Sequence, residues 1–259
     1  FYDQRQADRA RDLLHIATFN IHKGFSRFNR RMTVHDLRDK LGSLGAHVVF
    51  LQEVQGSPDR RAARHHNWPR EPQHEFLASD LWTDFAYGKN AVYDEGHHGN
   101  AILSQYPITK WENEDVSTHR FESRGLLHCE LAVPGWSEPL HCVCVHLGLG
   151  ARGRREQLEL LCERIDRLVP HSAPLVIAGD FNDWRLKASQ ILKNTLDVRE
   201  AFETANGHPA LSYPAGLPIF SLDRIYVRGF VVKTAHSLKG RNWSRLSDHV
   251  ALATTLVRK

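Results

Sequence analysis

The chain has 259 residues, 41% hydrophobic and 25% charged, the balance of an ordinary globular protein long enough for a substantial core. No apolar stretch approaches the roughly 20 residues of a membrane span, and the N-terminus lacks a signal-peptide pattern, so a cytoplasmic chain without a transmembrane segment is expected. The net charge of +4 suits an anionic substrate but falls short of the concentrated basic patch that marks a dedicated nucleic-acid binder.

Residues 1–12 are polar and read as a trimmed or disordered lead-in. A first strand is predicted over 13–21, carrying Asn20 near its end. A helix follows over 33–44, capped by Thr33, with Val34, Leu37, Leu41 and Leu44 on one stripe. Strands over 47–54 and 99–104 carry Glu53 and Asn100. Two alternating strands, 126–133 and 139–147, are joined by a Pro134-Gly135 turn and read as a hairpin whose second arm ends at His146. A helix over 154–169 sets Leu158, Leu161, Ile165 and Leu168 at three- and four-residue steps. The strand over 174–181 runs into Gly179-Asp180-Phe181-Asn182, the one over 222–228 carries Asp223, and the last, 248–257, opens on Asp248-His249. Strands and helices interleave with no linker, repeat or low-complexity tract, which predicts one domain over 13–259. The fold class is α/β, a mixed-sheet sandwich with helices outside.

The four cysteines, Cys129, Cys142, Cys144 and Cys162, have no CxxC spacing and read as small core hydrophobes of a reduced protein. Arginine clusters at 27–31, 60–64 and 152–155 read as solvated loops and helix starts.

The polar residues at strand ends carry the chemistry. Ionisable groups are costly to bury unless paired or bound to metal, so six such strand ends point to one shared site. Glu53 and Asp248 offer hard oxygen ligands suited to Mg2+ or Mn2+, and Asn20 can bond such a carboxylate, or a phosphate oxygen, without adding charge. Asp180 and Asn182, two apart on an extended segment, would point the same way, one taking a proton from water and the other orienting that water or holding a phosphate oxygen. His146 and His249 can exchange protons near neutral pH, with Asp223 orienting His249. An activated water, a Lewis acid and cationic donors together serve phosphoester hydrolysis.

The ordered segments Thr18-Phe19-Asn20, Leu51-Gln52-Glu53, Gly99-Asn100-Ala101-Ile102-Leu103-Ser104, His146-Leu147, Gly179-Asp180-Phe181-Asn182 and Ser247-Asp248-His249 span nearly the whole chain. This set resembles the endonuclease/exonuclease/phosphatase (DNase I-like) superfamily, and Glu95-Gly96-His97-His98-Gly99-Asn100 and Asp183-Trp184-Arg185 are similar to its small stand-alone bacterial members. The resemblance implies a four-layer α/β/β/α sandwich with the site at one end of two packed sheets. It casts Glu53 as main metal ligand, with Asp248 close by and Asn20 supporting. Asp180 and Asn182 would position and activate the water, His249 with Asp223 would act on that water or hold the phosphate, and His146 would sit across it. Which histidine acts as acid or base stays open.

The chain departs from the family where relatives often carry an acid, at His22; a histidine there would lower the local negative charge and either weaken metal binding or favour a different ion. His98, in a loop expected near the site, with His22, Asn100 and Arg224, completes the candidates for substrate binding. The segment 212–218 is shorter than in abasic-site enzymes, which argues against DNA-lesion recognition. The expected activity is that of a monomeric Mg2+- or Mn2+-dependent phosphodiesterase acting on nucleic acid or a phospholipid headgroup. Exposed aromatics such as Trp68 and Trp184 suit both substrates. The alternatives are a phosphomonoesterase for a sugar or inositol phosphate, and a non-catalytic binding module on the same fold. The loops at 22–32, 55–75 and 206–220 would set specificity.

Overall fold

The computed structural model describes residues 13–29, 31–57, 65–93, 96–118 and 123–259. The polar lead-in and the arginine cluster at 60–64 lie outside these residues. Two six-stranded mixed sheets pack face to face. The first has the order β11-β12-β1-β2-β4-β3, from β1 (Leu13–Asn20), β2 (Val48–Ser57), β3 (Asp84–Tyr93), β4 (Gly96–Ser104), β11 (Phe230–Leu238) and β12 (Ala251–Arg258). The second has the order β5-β6-β7-β8-β10-β9, from β5 (Ile108–Asp115), β6 (Gly125–Leu131), β7 (Leu140–His146), β8 (Leu175–Asp180), β9 (Arg199–Glu200) and β10 (Asp223–Arg228).

Each sheet holds one parallel pair, β1 with β2 and β7 with β8, among antiparallel neighbours. Alternation along the strands sends Ile16, Phe50 and Ile102 of one sheet against Cys142, Cys144 and Ile225 of the other, and this forms the central core. The outer face of the first sheet is covered by α1 (Val34–Gly42) and α2 (Gln73–Ala78), packed through Leu37, Leu41, Phe76 and Leu77. On the second sheet lie α3 (Ala151–Leu168) and α4 (Ala188–Leu196), through Leu158, Leu161, Ile165 and Leu192; α5 (Ala201–Asn206) follows β9. The result is the four-layer α/β/β/α sandwich.

The predicted hairpin is β6–β7, paired from Leu126 with Val145 to Leu131 with Leu140. All four cysteines are free and buried in the apolar clusters, and burial raises their thiol pKa values. Thr33 precedes α1 as predicted, but its hydroxyl donates to Leu246 O instead of capping the helix. The four strands absent from the sequence reading, β3, β5, β9 and β11, are the four sheet edges. An edge strand has one neighbour and a solvated side, so it needs no continuous apolar run; every residue of β5 is at least partly exposed, and β11 buries only Phe230 and Ala235.

Candidate active site

The two parallel pairs end at the same place. In register Asn20 lies opposite Gln52 on β1–β2, and His146 lies opposite Asp180 on β7–β8, so the ends of β1, β7 and β8 converge from two sheets beside the middle of β2. Gly179 allows the close approach of β8 to β7: with φ at 146°, a Cβ built on it would lie 2.0 Å from Val145 O. At Glu53 itself the β2–β4 register slips, between Leu51 and Val54, and Glu53 adopts a left-handed φ of 56°. A bulge of this kind re-aims a side chain out of the strand alternation. His22, Lys23 and Asn182 also have positive φ, at 47°, 60° and 48°, a strain of roughly 1–3 kcal/mol per residue that clusters at functional sites.

Asp180 is the hub. Its Oδ2 accepts from Asn20 Nδ2 at 3.1 Å and lies 3.6 Å from His146 Nε2 and 3.8 Å from His249 Nε2. Its Oδ1 accepts from the Asn182 backbone N–H at 2.9 Å. The Asn20 amide also donates to Glu53 Oε1 at 3.2 Å, which bridges the two carboxylates. Across the hub, His249 Nδ1 lies 2.8 Å from Asp223 Oδ2 on the neighbouring strand β10. Asp223, His249 and Asp180 are all buried and form one continuous line.

Electrostatics separate the roles. Burial raises the Asp180 carboxyl, and the neighbouring Asp223 adds to this, against the pull of His249; the balance is about 7. Burial works against protonation of His249, but Asp223 and Asp180 outweigh it and raise the imidazole to about 10. His146 is driven by burial, with help from Arg124, down to about 3 and is neutral at physiological pH. Burial would raise Glu53, yet His146, His22, Lys23 and His98 outweigh it and hold this carboxyl at about 2. Lys23 and Arg124 thus bear on the site although no motif in the sequence pointed to them.

Glu53 Oε2 and Asp248 Oδ1 face the same atom, His22 Nδ1, at 3.9 and 3.4 Å. Both acid side chains keep about a fifth of their surface open, 20% and 19%, so a hydrated ion can reach them. Two hard carboxylates beside one imidazole fit a six-coordinate divalent cation that keeps several waters. Asp180, Asp223 and His249 form a second possible metal group, with ligand atoms within 4.8 Å of one another, all buried.

The structure departs from the sequence reading at several residues. Asn182 does not continue an extended segment beside Asp180: the chain turns at it, and its Nδ2 donates to Leu147 O at 2.9 Å. Asn100 is wholly buried and spans the two sheets, donating to Gly125 O and Cys144 O at 2.9 and 3.3 Å, so it braces the His146 strand from below. Arg224 follows Asp223 on a strand of period two and therefore points to the opposite face. It is buried there beside Tyr226 and Glu200 and donates to Ser221 O at 2.8 Å, away from the opening. His98 lies on β4 instead of in a loop, within electrostatic reach of Glu53 and His146. Trp68 is half-buried and stacks on Phe25, whereas Trp184 is exposed. Arg154, read from the sequence as part of a solvated cluster, is buried on α3, and Gln157 on the same helix carried no signal in the sequence. Arg154 donates to Gly148 O and Leu149 O, and Gln157 Oε1 accepts from the Gly148 N–H, which together hold the loop that follows His146.

Comparison with known proteins extends this picture. The chain is 46% identical over 241 residues, 93% of its length, to the uncharacterised protein YbhP of Escherichia coli K12, of which 95% is covered. A structure titled endonuclease/exonuclease/phosphatase from Beutenbergia cavernae superposes at a TM-score of 0.78 with 19% identity, covering 95% of this chain and 72% of that one. A mannosyl-6-phosphatase of Bacteroides thetaiotaomicron gives 0.70 with 15% identity, over 94% and 99%, and truncated Caenorhabditis elegans TDP2 gives 0.68 with 17%, over 95% and 97%. The model of the Endonuclease/Exonuclease/phosphatase family matches residues 17–249. With that match over most of its length, the chain belongs to the endonuclease/exonuclease/phosphatase family.

Proposed function

We propose that the chain is a divalent-metal-dependent phosphodiesterase. Family members hydrolyse phosphoesters, generally with a divalent metal, and the observation that carries the reading is the Asp223–His249–Asp180 line beside the Glu53 and Asp248 carboxylates. Glu53 and Asp248 would hold Mg2+ or Mn2+, with Asn20 and His22 alongside. A bound cation supplies Lewis acidity to a phosphoryl oxygen.

The remaining steps belong to the side chains. Asp180, with its carboxyl near neutrality, accepts a proton from water; this is the pKa range in which a general base works best. The Asn182 N–H and the Asn20 amide hold its two oxygens in place. The water oxygen forms its bond to phosphorus as one ester P–O bond breaks, and the leaving oxygen takes a proton from solvent. His249, protonated and fixed by Asp223, donates to the phosphoryl oxygens as charge develops on them. His146 stays neutral on the other side of Asp180. The half-buried Tyr213 ring beside His249 continues into the exposed rings of Trp184 and Phe220, and this supports a diester, because the rings offer a surface for the second organic substituent.

Hydrolysis of bis-p-nitrophenyl phosphate and of p-nitrophenyl phosphate, with Mg2+ and with Mn2+, tests this. The diester should be turned over faster, and Asp180→Asn should lower its kcat by about 10²–10⁴-fold, the usual contribution of general-base catalysis. Faster turnover of the monoester would favour a phosphomonoesterase, and unchanged turnover in the variant would remove Asp180 from the chemistry.

A further inference from the structure

Thirteen large hydrophobic side chains are exposed among the described residues, and six of them sit on two loops at the catalytic end. Trp184 and Leu186 follow β8; Leu211, Leu217, Ile219 and Phe220 precede β10. Such concentration is not the single scatter of an ordinary surface. The two loops touch: the Trp184 ring meets Phe220 at 4.8 Å and Tyr213 at 6.0 Å, and Tyr213 packs on His249 at 5.0 Å. The loop before β10 is also tied to the site through its backbone, with Ala215 N–H on Asp248 O at 2.7 Å and Val250 N–H on Ser212 O at 2.7 Å. The apolar rim is therefore built onto the catalytic residues and held in place with them.

Its composition and surroundings indicate what it meets. The outermost side chains are aliphatic: Leu217 is 73% exposed and Ile219 58%. A nucleobase gains stacking energy from an aromatic face and little from leucine or isoleucine, whereas acyl chains accept any apolar group. Beside the Trp184 loop lies a cleft of about 410 Å3 between α3 and residues 183–191, lined by Arg154, Arg155, Arg185 and Lys187 against Glu159 and Asp183. Asp183 is buried on the Ala188 N–H, Arg154 is buried on the Gly148 and Leu149 carbonyls, and Glu159 pairs with Arg155, so the outward charge that remains is that of the exposed Arg185 and Lys187 and is positive. Apolar loops flanked by cations suit the boundary of an anionic bilayer, where the loops enter the headgroup region and the cations meet lipid phosphates.

We propose that this rim docks the enzyme on an anionic phospholipid surface and that its substrate is a phosphodiester presented there. The inference rests on the phosphodiesterase reading for its substrate, though the docking stands on the rim itself. Co-sedimentation of the whole chain is measured with vesicles of phosphatidylcholine alone and of equal parts phosphatidylcholine and phosphatidylglycerol, alongside release of headgroup from the lipid. The variant Leu217→Asp/Ile219→Asp changes two exposed side chains that do not touch the reacting groups.

The wild type should prefer the phosphatidylglycerol vesicles, and the variant should lose at least about tenfold in vesicle binding and headgroup release, the scale of removing two inserted aliphatic side chains, while keeping its rate on bis-p-nitrophenyl phosphate. Wild type that stays in the supernatant with both vesicles overturns the proposal, as does a variant that binds as well as wild type. Loss of affinity for a single-stranded oligonucleotide in the variant, with vesicles ignored, would overturn it in favour of a base-stacking surface. Absence of turnover on the soluble diester would instead count against the catalytic reading, and co-sedimentation would still decide the docking.

Discussion

Replacing Asp223 by asparagine separates the charge of the buried line from its shape. The carboxylate lies 2.8 Å from His249 Nδ1, is fully buried, and is the main force keeping the imidazole protonated. A charge-assisted hydrogen bond of this kind is worth about 1.5–3 kcal/mol, which alone corresponds to about one to two pKa units. Loss of the through-space attraction adds to that, and burial of the ring then pushes the other way unopposed. In the wild type, activity should rise with pH as Asp180 ionises at about 7 and fall as His249 loses its proton at about 10. Asp223→Asn should bring the alkaline limb down by at least about two pH units and lower kcat/KM by about 10²–10³-fold at pH 8, the usual loss when a positioned donor to a developing oxyanion is removed. The fold should survive, because His249 can deprotonate and no buried charge is left unpaired; a thermal melt checks this. The assay is the pH profile of kcat/KM on a soluble diester from pH 5 to 11. An alkaline limb that does not move, or a loss below tenfold with the melt unchanged, would refute the charged line as the working element.

The other predictions concern metal preference, acid stability and strand contact. His22→Asp supplies the carboxylate that relatives often carry and should tighten Mg2+ binding about tenfold in isothermal titration calorimetry, since a hard oxygen suits that ion better than an imidazole nitrogen; unchanged or weaker binding would place His22 outside the metal centre. Burial holds His74, His98 and His128 at about 4 and His146 at about 3. The unfolded chain takes up these protons near the ordinary pKa of about 6.5 and the native one does not, so stability should fall as pH drops from there toward 4, by up to about 1.4 kcal/mol per pH unit for each histidine. Urea melts of wild type and His128→Asn, a site remote from the opening, should show the variant with the shallower decline; identical slopes would contradict the buried neutral state. Gly179→Ala puts a Cβ 2.0 Å from Val145 O and should cost about 3 kcal/mol or more in chemical denaturation, since the backbone there cannot move aside cheaply. A loss under about 1 kcal/mol would mean β7 and β8 can part without penalty.

What the sequence determined by itself was the order of the parts: buried strands with polar residues at their ends, because a strand covered on both faces must be an apolar run and a carboxylate at its tip then stands out. The edge strands β3, β5, β9 and β11 were illegible for the converse reason, since a strand with one open side carries no such run. Parity along a strand could have removed Arg224 from the site, because it is adjacent to Asp223 and must face the other way. Nothing local could have revealed that Asn100 spends its amide on two backbone carbonyls of the facing sheet, or that the Thr33 hydroxyl reaches Leu246 O, since those partners are distant in the chain. Tertiary structure alone decided that Asn20 bridges Glu53 and Asp180, that Asp180 and His249 both have raised pKa values, and that the apolar loops after β8 and before β10 meet beside His249. Each of these depends on two sheets closing face to face, which sets distance and burial, and a linear pattern carries neither.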